Sequence, residues 1–245
     1  MGGLSFLSIL YILLSYAAAI VFFGGLFYKV WSFAATPSPL KIPATPQPTT
    51  AGGVIWANII SISTFDGLFK GNKWTWIGGW TLHVILVFVL LRHLRFFMEP
   101  APHALAGIQY LIWYLSALLP LPIIYLWIRR SAVDRVAYIS AMSDSFILGL
   151  LLLIGLSGIA LKILFRADVA SVKAFIMGLV LLSPQNIPTQ PIFIFHYTLI
   201  LVLAFYFPFS KLVHAGGIFF SPTNTQVDNP REVRHVTAWA SNKEG

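Results

Sequence analysis

Cysteine is absent from all 245 residues. That excludes a disulfide scaffold, thiolate-held zinc, cysteine-held iron–sulfur clusters and covalent C-x-x-C-H haem attachment, and leaves histidine as the soft metal ligand. Charge is scarce as well: 10% of residues are charged, where soluble domains carry roughly 25%. With 58% apolar residues and a mean hydropathy of +0.80, the chain has too few charges to coat a water-facing surface, which excludes an ordinary cytoplasmic enzyme. The 15% of aromatic residues exclude disorder. Acidic residues are the rarer sign, 8 against 16 basic ones, for a net charge of +8. In a soluble protein that balance points to nucleic acid; in a membrane chain it marks basic loops retained in the cytoplasm, so no nucleic-acid partner is expected.

What remains is an all-α integral membrane bundle. A helix needs about 20 mostly apolar residues to cross a ~30 Å hydrocarbon core. Five segments qualify: Leu4–Val30, Gly78–Phe97, Ala106–Ile128, Met142–Phe165 and Pro191–Gly216. The first lacks the basic flank of a signal peptide and its apolar run is too long for one. The third carries Pro120 and Pro122, which predict a kink. Two further apolar stretches, Gly52–Phe69 and Val172–Leu182, are too short or too polar to span, and read as interfacial or re-entrant helices. A proline-rich linker, Pro37–Pro48, precedes the first of them. Residues 1–220 therefore read as one membrane domain and Ser221–Gly245 as a polar tail. No internal repeat of the kind found in many transporters is visible.

Lysine and arginine counts orient the bundle. With the N-terminus outside, the inner side holds 11 of them (Lys29, Lys41, Lys70, Lys73, Arg129, Arg130, Arg135, Lys211, Arg231, Arg234, Lys243). The outer side holds 5 (Arg92, Arg95, Lys162, Arg166, Lys173). The positive-inside rule then predicts N-terminus out, C-terminus and tail in.

Ionisable residues inside spans are costly and read as functional. Four of the six histidines fall in two spans: His83 and His93 in the second, His196 and His214 in the fifth. The two spans run antiparallel, so His83 faces His214 near the inner surface and His93 faces His196 near the outer one. On ideal helices the steps are roughly 15 Å and 27 Å, which puts two bound metals about 21 Å apart along the axis. An 18-residue step also returns to the same helix face. Two histidine pairs without cysteine fit two bis-histidine haems. The alternatives at this level are a histidine-using membrane transporter or channel, for which only Asp144 supplies an intramembrane acid, and a cofactor-free membrane anchor.

The steps His83–His93 and His196–His214, on spans two and five of five, resemble the gamma (cytochrome b) subunit of respiratory nitrate reductase over essentially the whole five-span region. One departure stands out: that type has glycine before its second histidine, where this chain has Arg92. The run Arg92-His93-Leu94-Arg95-Phe96-Phe97, followed by Glu99-Pro100, and the long proline-bearing loop before span two are closer to the DsrM-type cytochrome b of the sulfite-reduction-linked DsrMKJOP membrane complex. The resemblance implies two haem b groups, His83/His214 inner and His93/His196 outer, in a subunit of a quinone-linked oxidoreductase complex of a prokaryotic cytoplasmic membrane. It also implies a cytoplasmic iron–sulfur partner, with a periplasmic multihaem cytochrome c and a second membrane subunit as further partners.

Cations near the membrane surfaces suit haem propionates through charge-assisted hydrogen bonds. Arg92 and Arg95 flank the outer pair, Lys211 precedes His214 by three residues, and Arg129 and Arg130 end span three. The bland alternative is topology-setting, snorkelling side chains. Gly149, Gly155, Ser157 and Gly158 in span four, and Gly24 and Gly25 in span one, would let a flat macrocycle approach the backbone; close helix packing explains them equally. By analogy with the family, the quinone head group belongs near the outer pair, with Arg95, Glu99, His103 and Asp168 as its polar candidates and Glu99 or His103 as proton carrier. His235 lies in the tail and receives no role.

Overall fold

The structure is a computed structural model that describes residues 3–37, 43, 45–100, 103 and 107–229. His235 and the rest of the tail beyond residue 229 lie outside the described residues. Every regular element among them is helical: α1 (Phe6–Ala35), α2 (Ala51–Thr64), α3 (Asp66–Gly71), α4 (Lys73–His93), α5 (Gln109–Ala117), α6 (Pro120–Ala132), α7 (Asp134–Tyr138), α8 (Met142–Ile163), α9 (Val169–Val180), α10 (Pro191–Tyr206), α11 (His214–Gly217) and α12 (Pro222–Thr225), with short 3₁₀ turns between some of them. Five stretches are long and apolar enough to cross a membrane: Phe6–Ala35, Lys73–Phe96, Gln109–Ala132, Met142–Ile163 and Pro191–Phe209. The two shorter apolar helices expected from the sequence are α2 and α9, of 14 and 12 residues.

The boundaries follow from caps and prolines. Span two starts five residues earlier than its apolar run, because the Asn72 side chain accepts a hydrogen bond from Thr75 N and caps the helix ahead of Lys73. In span three the helix is interrupted at the prolines: α5 closes at Ala117 and α6 restarts with Pro120 in its first position, where a missing N–H costs nothing. Span five was expected to stay helical to Gly216, but α10 stops at Tyr206. Pro208 lies in a 3₁₀ turn (Phe207–Phe209), Ser210 is extended (φ −106°, ψ 170°), and a second 3₁₀ turn (Lys211–Val213) leads into α11. His214 therefore does not stand on a continuous helix with His196, and the expected common face of an 18-residue step does not apply.

Large apolar side chains point outward along the spans, among them Phe6, Ile20, Phe23, Phe27 and Trp31 of α1. A hydrocarbon solvent accepts such a surface, and the helices satisfy their own backbone groups within it. Neighbours in space follow the series α1, α10, α8, α6, α4. Polar ties fix the first pair: Tyr11 Oη and Thr198 Oγ1 lie 2.6 Å apart, as do Ser15 Oγ and Tyr197 Oη. At the start of α1, the fully buried Ser8 donates to Asn186 Oδ1 (2.8 Å) and accepts from Ile187 N (3.0 Å), stapling the loop before α10 to the N-terminal turn. Arg129 joins α6 to α4, donating through Nε to Thr75 Oγ1 and through Nη2 to Asn72 Oδ1, both at 3.0 Å.

Candidate haem-binding pairs

Spans two and five are separated in the packing series by α6 and α8, yet their histidines converge. The His83 and His214 rings lie 6.0 Å apart between centroids, at 85° to each other. Two imidazoles that bond one metal from opposite sides at ~2 Å each bring their ring centres to roughly 6 Å. The break in span five produces this approach, because it frees His214 from the path of α10. At the other end, His93 closes α4 and His196 is buried on α10, within electrostatic range of it. The 10 residues from His83 to His93 on unbroken α4 set the two pairs about 15 Å apart along it.

Three of the four rings are fixed in the same tautomer, and the fourth can share it. His83 Nδ1 donates to the Gly79 carbonyl, His93 Nδ1 to Val89 and His214 Nδ1 to Lys211, each at 2.7 Å. A carbonyl only accepts, so in each case the proton sits on Nδ1. His196 Nδ1 lies 2.8 Å from Ser157 Oγ, and Ser157 gives its single hydroxyl proton to the Ile154 carbonyl (3.0 Å). With that proton on Ile154, His196 Nδ1 is the donor, as in the other three rings. On His83, His93 and His214 Nε2 is left with its lone pair, and among the described residues no hydrogen bond reaches any of the four Nε2 atoms. Ligating histidines have this arrangement, with the distal N–H anchored and the other nitrogen presented. Among the described residues no three or more His, Asp or Glu side chains gather around one point; pairs suit an iron whose remaining ligands come from a macrocycle.

The propionate candidates separate. Arg92 is half-buried with no partner among the described residues, and Arg95 keeps a buried Nε unpaired while Nη1 donates to Gln109 Oε1 (3.3 Å) and the guanidinium lies over Phe96. An anionic group beside His93 would satisfy both arginines. Lys211 is placed differently from the expectation: its ammonium is 2.9 Å from Asp144 Oδ2. Arg130 pairs with the same oxygen at 2.8 Å. The residues present fit haem at both pairs.

Besides Ser157, one of the small residues meets a histidine, Gly158: a Cβ there would stand 3.2 Å from His196 Cε1. Gly149 faces Trp127, Gly155 faces Leu119 and Gly25 faces Pro208, whereas Gly24 faces open space. Ser157→Ala is expected to remove the hydroxyl that orients the His196 ring. Loss of a group that holds a metal ligand in place weakens metal retention about 10–100-fold, and haem dissociation from the His93–His196 end, followed optically, measures it.

Two features escaped the sequence reading. Phe65, between α2 and α3, has a left-handed backbone (φ 54°, ψ 43°) and sets its ring 4.9 Å from His83. Two indoles hold the strained corner: Trp76 Nε1 donates to Thr64 O (2.6 Å) and Trp80 Nε1 to Ser63 O (2.9 Å). The second is an apolar cleft of about 410 Å³ lined by Phe165, Gln190, Pro191, Ile192 and Phe195, with Gln190 Oε1 buried and unpaired. The quinone candidates gather partly nearby. Glu99 is exposed and ion-paired with Lys173 of α9, and α9 packs on the turn that carries Arg95. Asp168 caps α9, and hydrogen bonds from the Ser171 hydroxyl and the Ala170 N–H hold its carboxyl below the usual carboxylate range. His103 is exposed.

A five-span helical membrane protein with two histidine pairs is the architecture of a membrane cytochrome b. The chain matches the family model of the nitrate reductase gamma subunit over residues 64–235 and belongs to that family. It is similar to the Hdr-like menaquinol oxidoreductase cytochrome b-like subunit of Archaeoglobus fulgidus, 32% identical over 93% of this chain and 82% of that one. The subunit of the same description from Archaeoglobus profundus is 28% identical over 94% of this chain and 82% of its own. These relatives are consistent with a DsrM-type cytochrome b and place the chain as a multi-pass protein of a prokaryotic cytoplasmic membrane, in quinone-linked electron transfer.

Proposed function

We propose that this chain is the dihaem cytochrome b subunit of a menaquinol-linked oxidoreductase, with one haem b held by His83 and His214 and another by His93 and His196. The observation that carries the reading is the placing of four rings in two pairs at two levels of the bundle, with the Nδ1–H of His83, His93 and His214 anchored on carbonyls and His196 Nδ1 bonded to Ser157. When bound, the two haems supply one-electron redox chemistry at two depths of the membrane. The histidines hold and orient them, Arg92 and Arg95 neutralise propionates at the His93–His196 end, and Phe65 packs on the His83 ring.

With the N-terminus outside, His93 and His196 lie towards the outer surface, His83 and His214 towards the cytoplasm. A quinol ring fits the outer end, where the apolar cleft offers flat walls and Gln190 Oε1 an acceptor for a quinol hydroxyl, with Arg95, Glu99, His103 and Asp168 as the polar rim. Oxidation of a quinol to a quinone releases two electrons and two protons; the exposed Glu99 and His103 are placed to pass protons outward. Residues 1–220 form the membrane domain. The tail from Ser221 and the short helices and helix ends bearing Lys70, Lys73, Arg129 and Arg135 form the face for a cytoplasmic iron–sulfur subunit, and the outer face is left to a periplasmic multihaem cytochrome c and a second membrane subunit.

The test is the visible spectrum of the purified protein. Dithionite should give low-spin haem b bands at about two haems per chain, and a menaquinol analogue should reduce them. A folded protein without haem that still supports quinol-linked activity of its complex would overturn the reading.

A further inference from the structure

We infer that Asp144 is a positioning residue for the haem ligand His214, acting through Lys211. The inference rests on the dihaem reading above. His214 follows a segment with little structure of its own: an extended Ser210 and a single 3₁₀ turn, Lys211–Val213. One such turn is too short to hold itself in place, so its position depends on ties to the bundle. Lys211 makes that tie at both of its ends. Its ammonium reaches Asp144 Oδ2 at 2.9 Å, and its carbonyl accepts from His214 Nδ1 at 2.7 Å. A single residue thus links a buried carboxylate to the ring that presents Nε2.

Asp144 is well suited to be the fixed point. It is 6% exposed, at the start of α8. Its Oδ2 also accepts from Ala141 N at 3.0 Å, capping the helix, and pairs with Arg130 at the end of α6. Arg130 in turn donates to Ser140 Oγ (3.2 Å). Three donors from three parts of the chain thus converge on one oxygen, so α6, α8 and the His214 turn share a single anchor. A charge buried in apolar surroundings is retained where its partners satisfy it, and here two cations and a helix N–H do so. Removing the carboxylate leaves Arg130 and Lys211 facing each other without a counter-charge, and the turn that carries His214 is the least supported of the elements they join.

The test compares Asp144→Asn, Lys211→Met and Lys211→Arg in the full-length haem-loaded protein, with the His93–His196 haem as internal reference. Haem per chain, the low-spin electron paramagnetic resonance signal of each haem and both midpoint potentials are read. Asp144→Asn should lower haem content from about two to about one per chain, or keep both while raising the midpoint potential of the His83–His214 haem alone, since uncompensated cations favour the reduced state. Lys211→Met, which leaves Asp144 paired with Arg130, should shift the signal of the same haem and lower its potential, and Lys211→Arg should restore both. Should Asp144→Asn fail to fold, the two lysine variants decide. An unchanged His83–His214 signal in Lys211→Met, or equal loss of both haems, overturns the inference. Wild-type protein with no haem would instead overturn the reading on which it rests.

Discussion

Replacing His196 with alanine is expected to abolish one haem and with it all quinol-driven electron transfer, while the haem at the other end remains. The ring is 8% exposed, its Nδ1 is bonded to Ser157 and its Cε1 lies against Gly158, so its removal deletes a buried ligand. His93→Ala should give the same optical loss if, as proposed, the two rings share one iron. His83→Ala and His214→Ala should remove the other haem, since their rings already stand 6.0 Å apart. Each single variant should retain about one haem per chain, and each double variant within a pair should look like its singles. The double variant His93→Ala/His214→Ala should hold none. Haem quantification across these variants checks the pairing. If His83 and His196 behaved as partners, the antiparallel placement of spans two and five would be wrong.

Much of this site was legible in the sequence because its logic is one of spacing and topology. Antiparallel spans with histidines at matched depths define the pairs whatever the side-chain detail, and the structure brings His83 to His214 as that argument requires. The parts that were not legible depend on interactions far apart in the chain. Apolar composition runs on through Pro208 and Ser210, so hydropathy extended span five to Gly216. The helix ends earlier because Pro208 has no N–H to give and Ser210 turns its hydroxyl back to the Phe207 carbonyl (2.8 Å). Lys211 read as a propionate partner because only its distance to His214 in sequence was visible. Its ammonium is taken by Asp144, 67 residues away, a contact set by the packing of α8. The strained corner at Phe65 was invisible for a related reason: a left-handed backbone at a bulky residue is a genuine outlier, held here by indoles that lie 12 and 17 residues beyond the carbonyls of Thr64 and Ser63 to which they donate. The glycines divided likewise, since a sequence shows that Gly24 and Gly25 are small but not which of them touches another helix.

Gly25→Ala is expected to destabilise the protein by about 1–3 kcal/mol, the usual cost of overpacking a filled contact, and to disturb the haem at the His83–His214 end first. A Cβ at position 25 would stand 2.5 Å from Pro208 Cβ and 2.8 Å from its Cγ. Neither side can yield cheaply: one is a helix backbone, the other a buried pyrrolidine ring without rotamers. The contact also lies where span five ceases to be an α-helix, with the Phe22 ring tilted against that of Phe207 at 5.0 Å between centroids. Pushing the Phe207–Phe209 turn away from α1 therefore moves the start of the segment that carries Lys211 and His214. At roughly 2–4 °C per kcal/mol for a chain of this size, the melting temperature should fall by several degrees, and the spectrum of the His83–His214 haem should broaden before that of the other. Gly24→Ala is the matched control. Nothing lies within 4 Å of its added Cβ, and alanine stabilises a helix over glycine by roughly 0.5–1 kcal/mol, so its melting temperature should hold or rise. Equal losses in the two variants would show that α1 tolerates no added methyl at this level for reasons other than contact with Pro208. A sharp difference between these adjacent positions would trace the stability of the haem end to one helix contact.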